Sequence, residues 1–444
     1  MTTVRRDSVT TANVSPTTVI GGALLILPHA EEVHLRRGLM PVAISSTTGR
    51  LNRAAVDSDS EEEEEAILHD RGGSSHGREE CQTAPGSPDT SSRQSRFHVI
   101  STQMEAVVSA HRRAAASKRF AYECYDMFGF RVTEVEKAAE DYERHAKGYS
   151  QEYLGKWQHM VSHWASVRPD TLKRYCRRGV PQALRHVVWQ RLLESWGMKE
   201  SHPGVYMRLR SDPLVSEDLK GIIERDLDRT FPTHRLFSSG GLGQGQQMLR
   251  SILHAYANYD PSVGYCQGMG FLAATLILQV EEEESAFWAF VALMNNAKYN
   301  MRVVFSPGFP QLQCCFHVFE ELMHKKMPKL YTHLHDRHHI HPSFYAVHWF
   351  MTVFTYYFNF GLVSRIWDMF LCEGWKPVYR IALALLKMDR RRLLSLGTET
   401  EVLLALKDIQ ESKRPVELLK TALNIRFSSA YVRALVEAYN APRV

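Results

Sequence analysis

Between residues 170 and 390, apolar residues recur at spacings of three and four, and runs that alternate apolar with polar residues are few. Spacings of three and four place side chains on one face of an α-helix, whereas a half-buried strand needs a period of two. Pro181 stands near a predicted helix start, where its missing N–H does no harm. Pro232 stands where a helix should end. The pattern therefore predicts an all-α fold.

The first 95 residues have a different composition. Ser, Thr, Gly and Pro dominate, residues 57–65 form an acidic run, and the first aromatic residue is Phe97. Such a segment has too little apolar surface to offset the entropy lost on ordering. We predict that residues 1–95 form a disordered tail.

Three further regions follow the predicted tail. Helices over 101–125 and 133–165, with a break at Phe128–Phe130, predict a helical extension that covers residues 96–170. The main domain is expected over 171–390. Helices such as 416–423 and 430–439 are expected within residues 391–444, where they should pack on the main domain.

Charge and cysteine content exclude several classes of function. A net charge of +5 on 444 residues, without a basic stripe, does not indicate a nucleic-acid binder. Seven cysteines without CxxC spacing fit reduced thiols better than a disulfide framework. The longest apolar runs, 19–27 and 271–280, are too short to span a bilayer. We also expect no signal peptide.

Two short motifs carry the side chains with the clearest chemistry. A helix predicted over 216–230 buries Ile223 and places Asp226 beside Arg229, three positions on. On its own this pair would be interpreted as an exposed ion pair. Gln267 stands at a predicted junction between a loop and a helix, two residues after Tyr265. The simpler interpretation is a glutamine that caps this helix.

The order of the motifs resembles that of the TBC domain, the domain of Rab GTPase-activating proteins. The resemblance rests on IxxDxxR ending at Arg229 and YxQ ending at Gln267, with RxxxW upstream at Arg185 and Trp189. Further family motifs are Arg178-Gly179-Val180-Pro181, Ala286-Phe287-Trp288, Trp349-Phe350-Met351-Thr352 and Arg365-Ile366-Trp367-Asp368.

This resemblance implies a helical TBC domain in which Arg229 is an arginine finger and Gln267 replaces the water-orienting glutamine of the GTPase. Asp226 would support the finger, Tyr265 would hold the loop, and Ile223 would belong to the core. Arg185 and Trp189 would have a structural role, with the tryptophan buried and the arginine bonded to backbone or a carboxylate. The chain would then have no substrate of its own and would complete the catalytic site of a Rab protein.

The resemblance also implies the partners and the location. The Rab partner would carry GTP and Mg²⁺, so no cofactor is expected on this chain. We expect a cytoplasmic protein that regulates vesicle trafficking and reaches endomembranes through its partner. The alternative is a non-catalytic helical scaffold that holds a Rab without accelerating hydrolysis. A helical nucleic-acid binder has only the mild positive charge in its favour.

Three other features are interpreted as structural. The glycine-rich segment 240–245 lacks the Lys-Ser/Thr and the preceding strand of a phosphate-binding loop. Cys266 has no adjacent base and is expected to be a small packed residue. Five histidines, His333, His335, His338, His339 and His341, match no zinc pattern, so we predict a surface loop and no metal.

Overall fold

The structure, a computed structural model, describes residues 124–133, 149–214, 216–238, 243–409 and 414–441, and the backbone of 19–20 and 23–24. The predicted tail lies outside the described residues, apart from two short strands, Val19–Ile20 (β1) and Ala23–Leu24 (β2), which pair antiparallel. A second antiparallel pair is formed by Cys124–Tyr125 (β3) and Arg131–Val132 (β4). The regular structure of the other described segments is helical.

The helices follow one another through the rest of the chain. In order they are α1 (Gln151–Ser162), α2 (Pro169–Arg178), α3 (Gln182–Leu193), α4 (Met198–Ser201), α5 (Val205–Ser211), α6 (Glu217–Leu227), α7 (Gln244–Tyr259), α8 (Met269–Val280), α9 (Glu283–Asn295), α10 (Met301–Val304), α11 (Pro310–Lys326), α12 (Pro328–Tyr331), α13 (Val347–Met351), α14 (Phe360–Glu373), α15 (Lys376–Ser395), α16 (Glu399–Lys407), α17 (Pro415–Leu423) and α18 (Ser429–Asn440). Short 3₁₀ turns cover Trp164–Ser166 and Pro342–Phe344, and a π-helical turn covers Thr332–Arg337. The predicted all-α fold is confirmed.

Helix α8 lies at the centre of the core. Eleven of its 12 residues are buried, and it packs against α7, α9 and α3. A helix that is apolar on all sides needs neighbours on all sides, which the surrounding helices provide. Five tryptophans are fully buried: Trp157, Trp189, Trp288, Trp349 and Trp367.

A buried carboxylate, Asp368 on α14, connects helices that are distant in sequence. Its Oδ1 accepts hydrogen bonds from Arg185 Nε at 3.0 Å and Trp189 Nε1 at 2.8 Å. Its Oδ2 accepts from the Val180 backbone N–H at 2.9 Å. Asp368 is 0% exposed, and a buried charge is tolerated where it is paired and hydrogen-bonded in this way.

The N-terminal extension differs from the prediction. Residues 124–125 and 131–132 are strands of a hairpin, where the sequence predicted helix over 101–125 and a break at 128–130. Asp126 and Gly129 favour the hairpin, because the carboxylate bonds nearby backbone N–H groups and the glycine adopts φ 94°. Within the second predicted helix, 133–165, the structure has α1 from Gln151 to Ser162, and residues 134–148 lie outside the described ranges. The domain boundaries proposed from the sequence remain predictions.

The C-terminal region contains three helices, α16 to α18. Helix α17 packs on α15. Arg380, near the start of α15, donates from Nε to the Ile425 carbonyl just beyond the end of α17 (3.1 Å). Helix α18 packs on α11, where Lys325 lies 4.0 Å from the ring centroid of Tyr431. Helices α17 and α18 therefore contact α15 and α11, respectively.

None of the helices in the described ranges combines the length and the apolar character needed to cross a membrane.

Candidate functional site

Helix α6 places Asp226 in the interior of the protein. The helix begins at Ser216, whose hydroxyl accepts from the Leu219 N–H at 3.4 Å, and acidic residues occupy its first turn. Ile223 and Leu227 lie on its buried face, with 0% and 1% exposure. Asp226 shares that face and is 2% exposed, so its charge requires partners.

Arg229 lies in the turn after this helix. The sequence predicted a helix through Thr230, but α6 ends at Leu227. The Thr230 N–H bonds the Leu227 carbonyl at 3.2 Å, and the Thr230 hydroxyl bonds the Asp226 carbonyl at 2.7 Å. Phe231 then adopts φ 50°, a left-handed conformation that is uncommon for a residue other than glycine. The turn aims the Arg229 side chain to the surface, where it is 45% exposed.

Gln267 lies in the turn that leads into α8. Tyr265 is 2% exposed and anchors the start of this turn, whereas Gln267 is half-buried. Gly268 adopts φ 102° and is the N-cap of α8. The Cys266 N–H contacts Met269 Sδ at 3.1 Å. Gln267 is therefore held between two well-fixed neighbours.

The Asp226 carboxylate contacts both turns. The guanidinium Nη2 of Arg229 forms an ion pair with Oδ1, and the Tyr265 hydroxyl donates to Oδ2. The Gly268 N–H also lies 3.3 Å from Oδ2. One buried carboxylate thus joins the segment that carries Arg229 to the segment that carries Gln267.

Close packing between the same two segments adds to this connection. Gly270, at the start of α8, faces the Thr230 hydroxyl. A Cβ atom at Gly270 would lie 3.1 Å from Thr230 Oγ1 and 3.5 Å from the Tyr265 hydroxyl oxygen. Glycine allows the start of α8 to approach the turn after α6 this closely.

Burial sets the protonation of the groups around Asp226. It raises the pKa of Tyr265 far above its ordinary value, so the hydroxyl keeps its proton and remains a donor. Burial lowers the pKa of Arg229, and the neighbouring cation Arg225 acts in the same direction. An arginine nevertheless remains charged at neutral pH. The site therefore presents a half-exposed cation on one turn and a half-buried amide on the other.

Arg185 and Trp189 contact Asp368 rather than Asp226. Their side chains are buried, at 4% and 0% exposure, and they fix α3 against α14. Ile223 belongs to the core. Cys266 is 9% exposed, and burial raises the pKa of its thiol to about 12, which suppresses the nucleophilic thiolate.

The histidine segment only partly matches the prediction of a surface loop. His333 and His338 are buried, at 6% and 8% exposure, with ring centroids 4.6 Å apart. The π-helical turn Thr332–Arg337 directs them inward, which a loop interpretation did not anticipate. Within the described ranges no group of three His, Cys, Asp or Glu side chains is placed to hold a metal ion.

The sequence interpretation missed the roles of Thr230, Gly268 and Gly270. The signal was present in the spacing of Gly268 and Gly270 on either side of a helix start, where a glycine often marks a positive φ or a close backbone approach. Part of the glycine-rich segment, 240–242, lies outside the described residues, and Gly243 is the N-cap of α7.

Comparisons with known proteins identify the class. Residues 182–394 match the family model of the Rab-GTPase-TBC domain. Among solved structures, the Chlamydomonas flagellar RabGAP TBC domain is 26% identical with a TM-score of 0.56, covering 68% of this chain and 99% of that one. The Ypt/Rab-GAP domain of Gyp1p has a TM-score of 0.52 at 17% identity, covers 65% and 99% of the two chains, and supports the fold alone.

Curated relatives give the same result. The human TBC1 domain family member 10B is 38% identical over 235 residues, which cover 52% of this chain and 28% of the relative. The Caenorhabditis elegans Rab GTPase-activating protein eat-17 is 32% identical over 315 residues, covering 69% and 34%. The chain thus spans about a third of the length of these relatives. Residues 182–394 thus resemble the Rab-GTPase-TBC domains in sequence, and the described helices resemble a RabGAP TBC domain in fold.

Proposed function

We propose that this protein is a GTPase-activating protein for a Rab-family small GTPase and that it acts through a dual arginine and glutamine finger. The observation that carries the proposal is the Asp226 carboxylate, which contacts Arg229, Tyr265 and the Gly268 N–H. Through these contacts, two side chains suited to phosphoryl transfer lie on turns that cannot move independently.

Arg229 is the arginine finger in this mechanism. Its guanidinium neutralises the charge that builds on the transferring γ-phosphoryl group, and an arginine supplied in trans accelerates hydrolysis by ~10³–10⁵-fold. The upper value corresponds to about 7 kcal/mol of barrier. Its 45% exposure supports this role, because the side chain is accessible to a docked partner while Asp226 holds it near the turn.

Gln267 positions the attacking water. Its amide offers both a donor and an acceptor, and the turn that carries it is fixed by Tyr265 on one side and by α8 on the other. Catalytic groups held by buried neighbours lose little entropy on reaching the reactive geometry. The glutamine of the Rab would then be free for another contact.

The Rab brings GTP and Mg²⁺, and this chain binds neither by itself. Its own residues supply charge and orientation to a site that the partner completes. The protein would act in the cytoplasm, reach endomembranes through that partner, and regulate vesicle trafficking by shortening the lifetime of the GTP-bound Rab.

A single-turnover GTP hydrolysis screen over purified Rab proteins tests the proposal. We expect strong acceleration of at least one Rab by the wild-type chain. Loss of acceleration with retained Rab binding in Arg229→Ala would support the finger assignment. Binding without acceleration by the wild-type chain would instead establish the scaffold function.

A further inference from the structure

The hairpin Cys124–Val132 lies upstream of the family-matched residues 182–394 and packs on the segment that follows Arg229. Asp126 organises its tip: Oδ1 accepts from the Phe128 N–H at 2.9 Å and the Phe130 N–H at 2.8 Å. The Gly129 N–H donates to the Asp126 carbonyl at 3.1 Å. These local bonds make the tip a preformed unit.

Backbone hydrogen bonds attach the hairpin to residues 233–235. The Arg131 N–H donates to the Thr233 carbonyl at 2.9 Å, and the Arg235 N–H donates to the Gly129 carbonyl at 3.0 Å. Phe130 and His234 form an antiparallel bridge. Residues 233–235, which follow the turn of Arg229, are thereby paired with residues 129–131 of the hairpin.

The buried His234 side chain forms hydrogen bonds both to the hairpin and to its own segment. It is 1% exposed, its Nε2 lies 2.7 Å from the Phe128 carbonyl, and its Nδ1 accepts from the Leu236 N–H at 3.1 Å. A carbonyl can only accept, so Nε2 carries the proton and the ring is a neutral tautomer. Gly129 permits this contact, because a Cβ there would lie 2.9 Å from His234 Nε2.

Aromatic packing connects the hairpin to the turn that contains Arg229. The ring of Phe130 lies 5.2 Å from that of Phe231 and 5.4 Å from that of Phe360. Phe231 stands two residues after Arg229 and adopts φ 50°, a strained conformation that persists where the surroundings enforce it. Phe130 is one of the surroundings that enforce it.

We propose that this hairpin is a positioning element of the GTPase-activating site. Phe130 is the residue through which it acts, because its ring packs on Phe231 and restricts the turn that carries Arg229. The inference rests on the proposed function. It gives a role at the site to a segment that lies upstream of residues 182–394, the limits of the family match. Loss of the hairpin contact should leave the Rab-binding surface in place while the turn of Arg229 gains freedom. Small displacements of catalytic groups reduce rates by up to about 10²-fold.

The test compares Phe130→Ala with Phe130→Leu and with Phe427→Ala in the full-length chain. Phe427 is 8% exposed and packs near Arg380 at the start of α15, so Phe427→Ala controls for a general loss of packing. We expect Phe130→Ala to lower the maximal single-turnover rate roughly tenfold, with the half-saturating concentration unchanged within about twofold. Phe130→Leu should recover most of the rate, and Phe427→Ala should retain it.

Amide hydrogen exchange provides a measurement that needs no Rab. We expect residues 229–237 to exchange faster in Phe130→Ala than in the wild type and in Phe427→Ala. Unchanged exchange in this segment, or a wild-type maximal rate in Phe130→Ala, overturns the inference. A wild-type chain that stimulates no Rab overturns the proposed function instead, and the exchange measurement still decides whether the hairpin holds the turn.

Discussion

The buried Asp226 carboxylate accepts a hydrogen bond from the hydroxyl of Tyr265, 39 positions further along the chain. The same carboxylate forms an ion pair with Arg229. Asp226 is therefore the shared support of two turns that the sequence separates, and changes to it should affect both turns together.

Replacement of Arg229 tests the finger. We expect Arg229→Lys and Arg229→Ala to abolish most of the stimulation, by ~10³-fold or more, because lysine keeps the charge but not the planar array of donors. Rab binding should survive. Single-turnover hydrolysis checks the rate, and Arg390→Ala, an exposed arginine on α15, is the matched control. Near wild-type rates in Arg229→Lys would remove the finger assignment.

Gln267→Ala tests the second finger. It removes the amide that holds the water and should cost on the order of 10²-fold in rate, about 3 kcal/mol. Alanine at the corresponding glutamine of the Rab should cost much less in the presence of this protein. Both variants are to be measured on one Rab, with binding measured separately. A mild Gln267→Ala and a crippling Rab variant would indicate a single arginine finger, with Gln267 as a cap of α8.

Asp226→Asn and Tyr265→Phe test the shared support. Tyr265→Phe removes the hydroxyl donor from a buried carboxylate and should lower the free energy of unfolding by about 1–3 kcal/mol. Because the two residues are in contact, the double variant should show a coupling energy of about 0.5–3 kcal/mol. Chemical denaturation of the four proteins measures it. Additive effects would show that the contact contributes nothing to stability.

The stability of the protein should depend on pH through His234. Burial lowers its folded-state pKa below the ordinary 6.5. The hydrogen bond to the Phe128 carbonyl and the charge of Asp126 oppose this shift more weakly, and the charge of Arg235 adds to it. The unfolded chain therefore binds the proton more readily, so stability decreases as pH falls below 6.5, by at most about 1.4 kcal/mol per pH unit for one group. Thermal unfolding of wild type and His234→Gln across this range checks the slope. Equal slopes would exclude His234 as the source.

Two N-terminal deletions separate the predicted tail from the hairpin. Deletion of residues 1–95 should leave the maximal stimulation intact, since the composition of this segment predicts disorder. Deletion of residues 1–133 should lower it, because the hairpin is then absent. Limited proteolysis should remove the first segment early. An insoluble or inactive protein lacking 1–95 would show that this segment belongs to the fold.

The period of the apolar residues predicted the all-α fold, because a helix that buries one face repeats apolar residues every three or four positions. The proximity of Asp226 and Arg229 was predicted in the same way, from their spacing of three residues on a helix. Their contact with Tyr265 could not be derived from spacing, since pairs so far apart in sequence meet only through the packing of whole helices. The family resemblance indicated which residues matter. It did not show that the Asp226 carboxylate contacts both Arg229 and Tyr265.

The hairpin and the buried histidines were missed for different reasons. The two hairpin strands, β3 and β4, are two residues long, too short for an alternating pattern, and the informative signals were Asp126 and Gly129 in the turn between them. At His333 and His338 the polar composition indicated a surface loop, but the π-helical turn directs both rings inward. Neither the hairpin nor the burial of the two histidines produces a repeating pattern in the nearby sequence.

The hydrogen bonds of Asp368 have a consequence for folding during synthesis. Its donors Val180, Arg185 and Trp189 precede it by 188, 183 and 179 positions. At ~5–20 residues per second, a ribosome needs roughly 10–40 s to make the intervening chain. Until Asp368 emerges, the first helices of the domain have no carboxylate to pair with Arg185. Over that interval Arg185 and Trp189 lack the partner that fixes α3 against α14, so these two helices cannot complete their native packing.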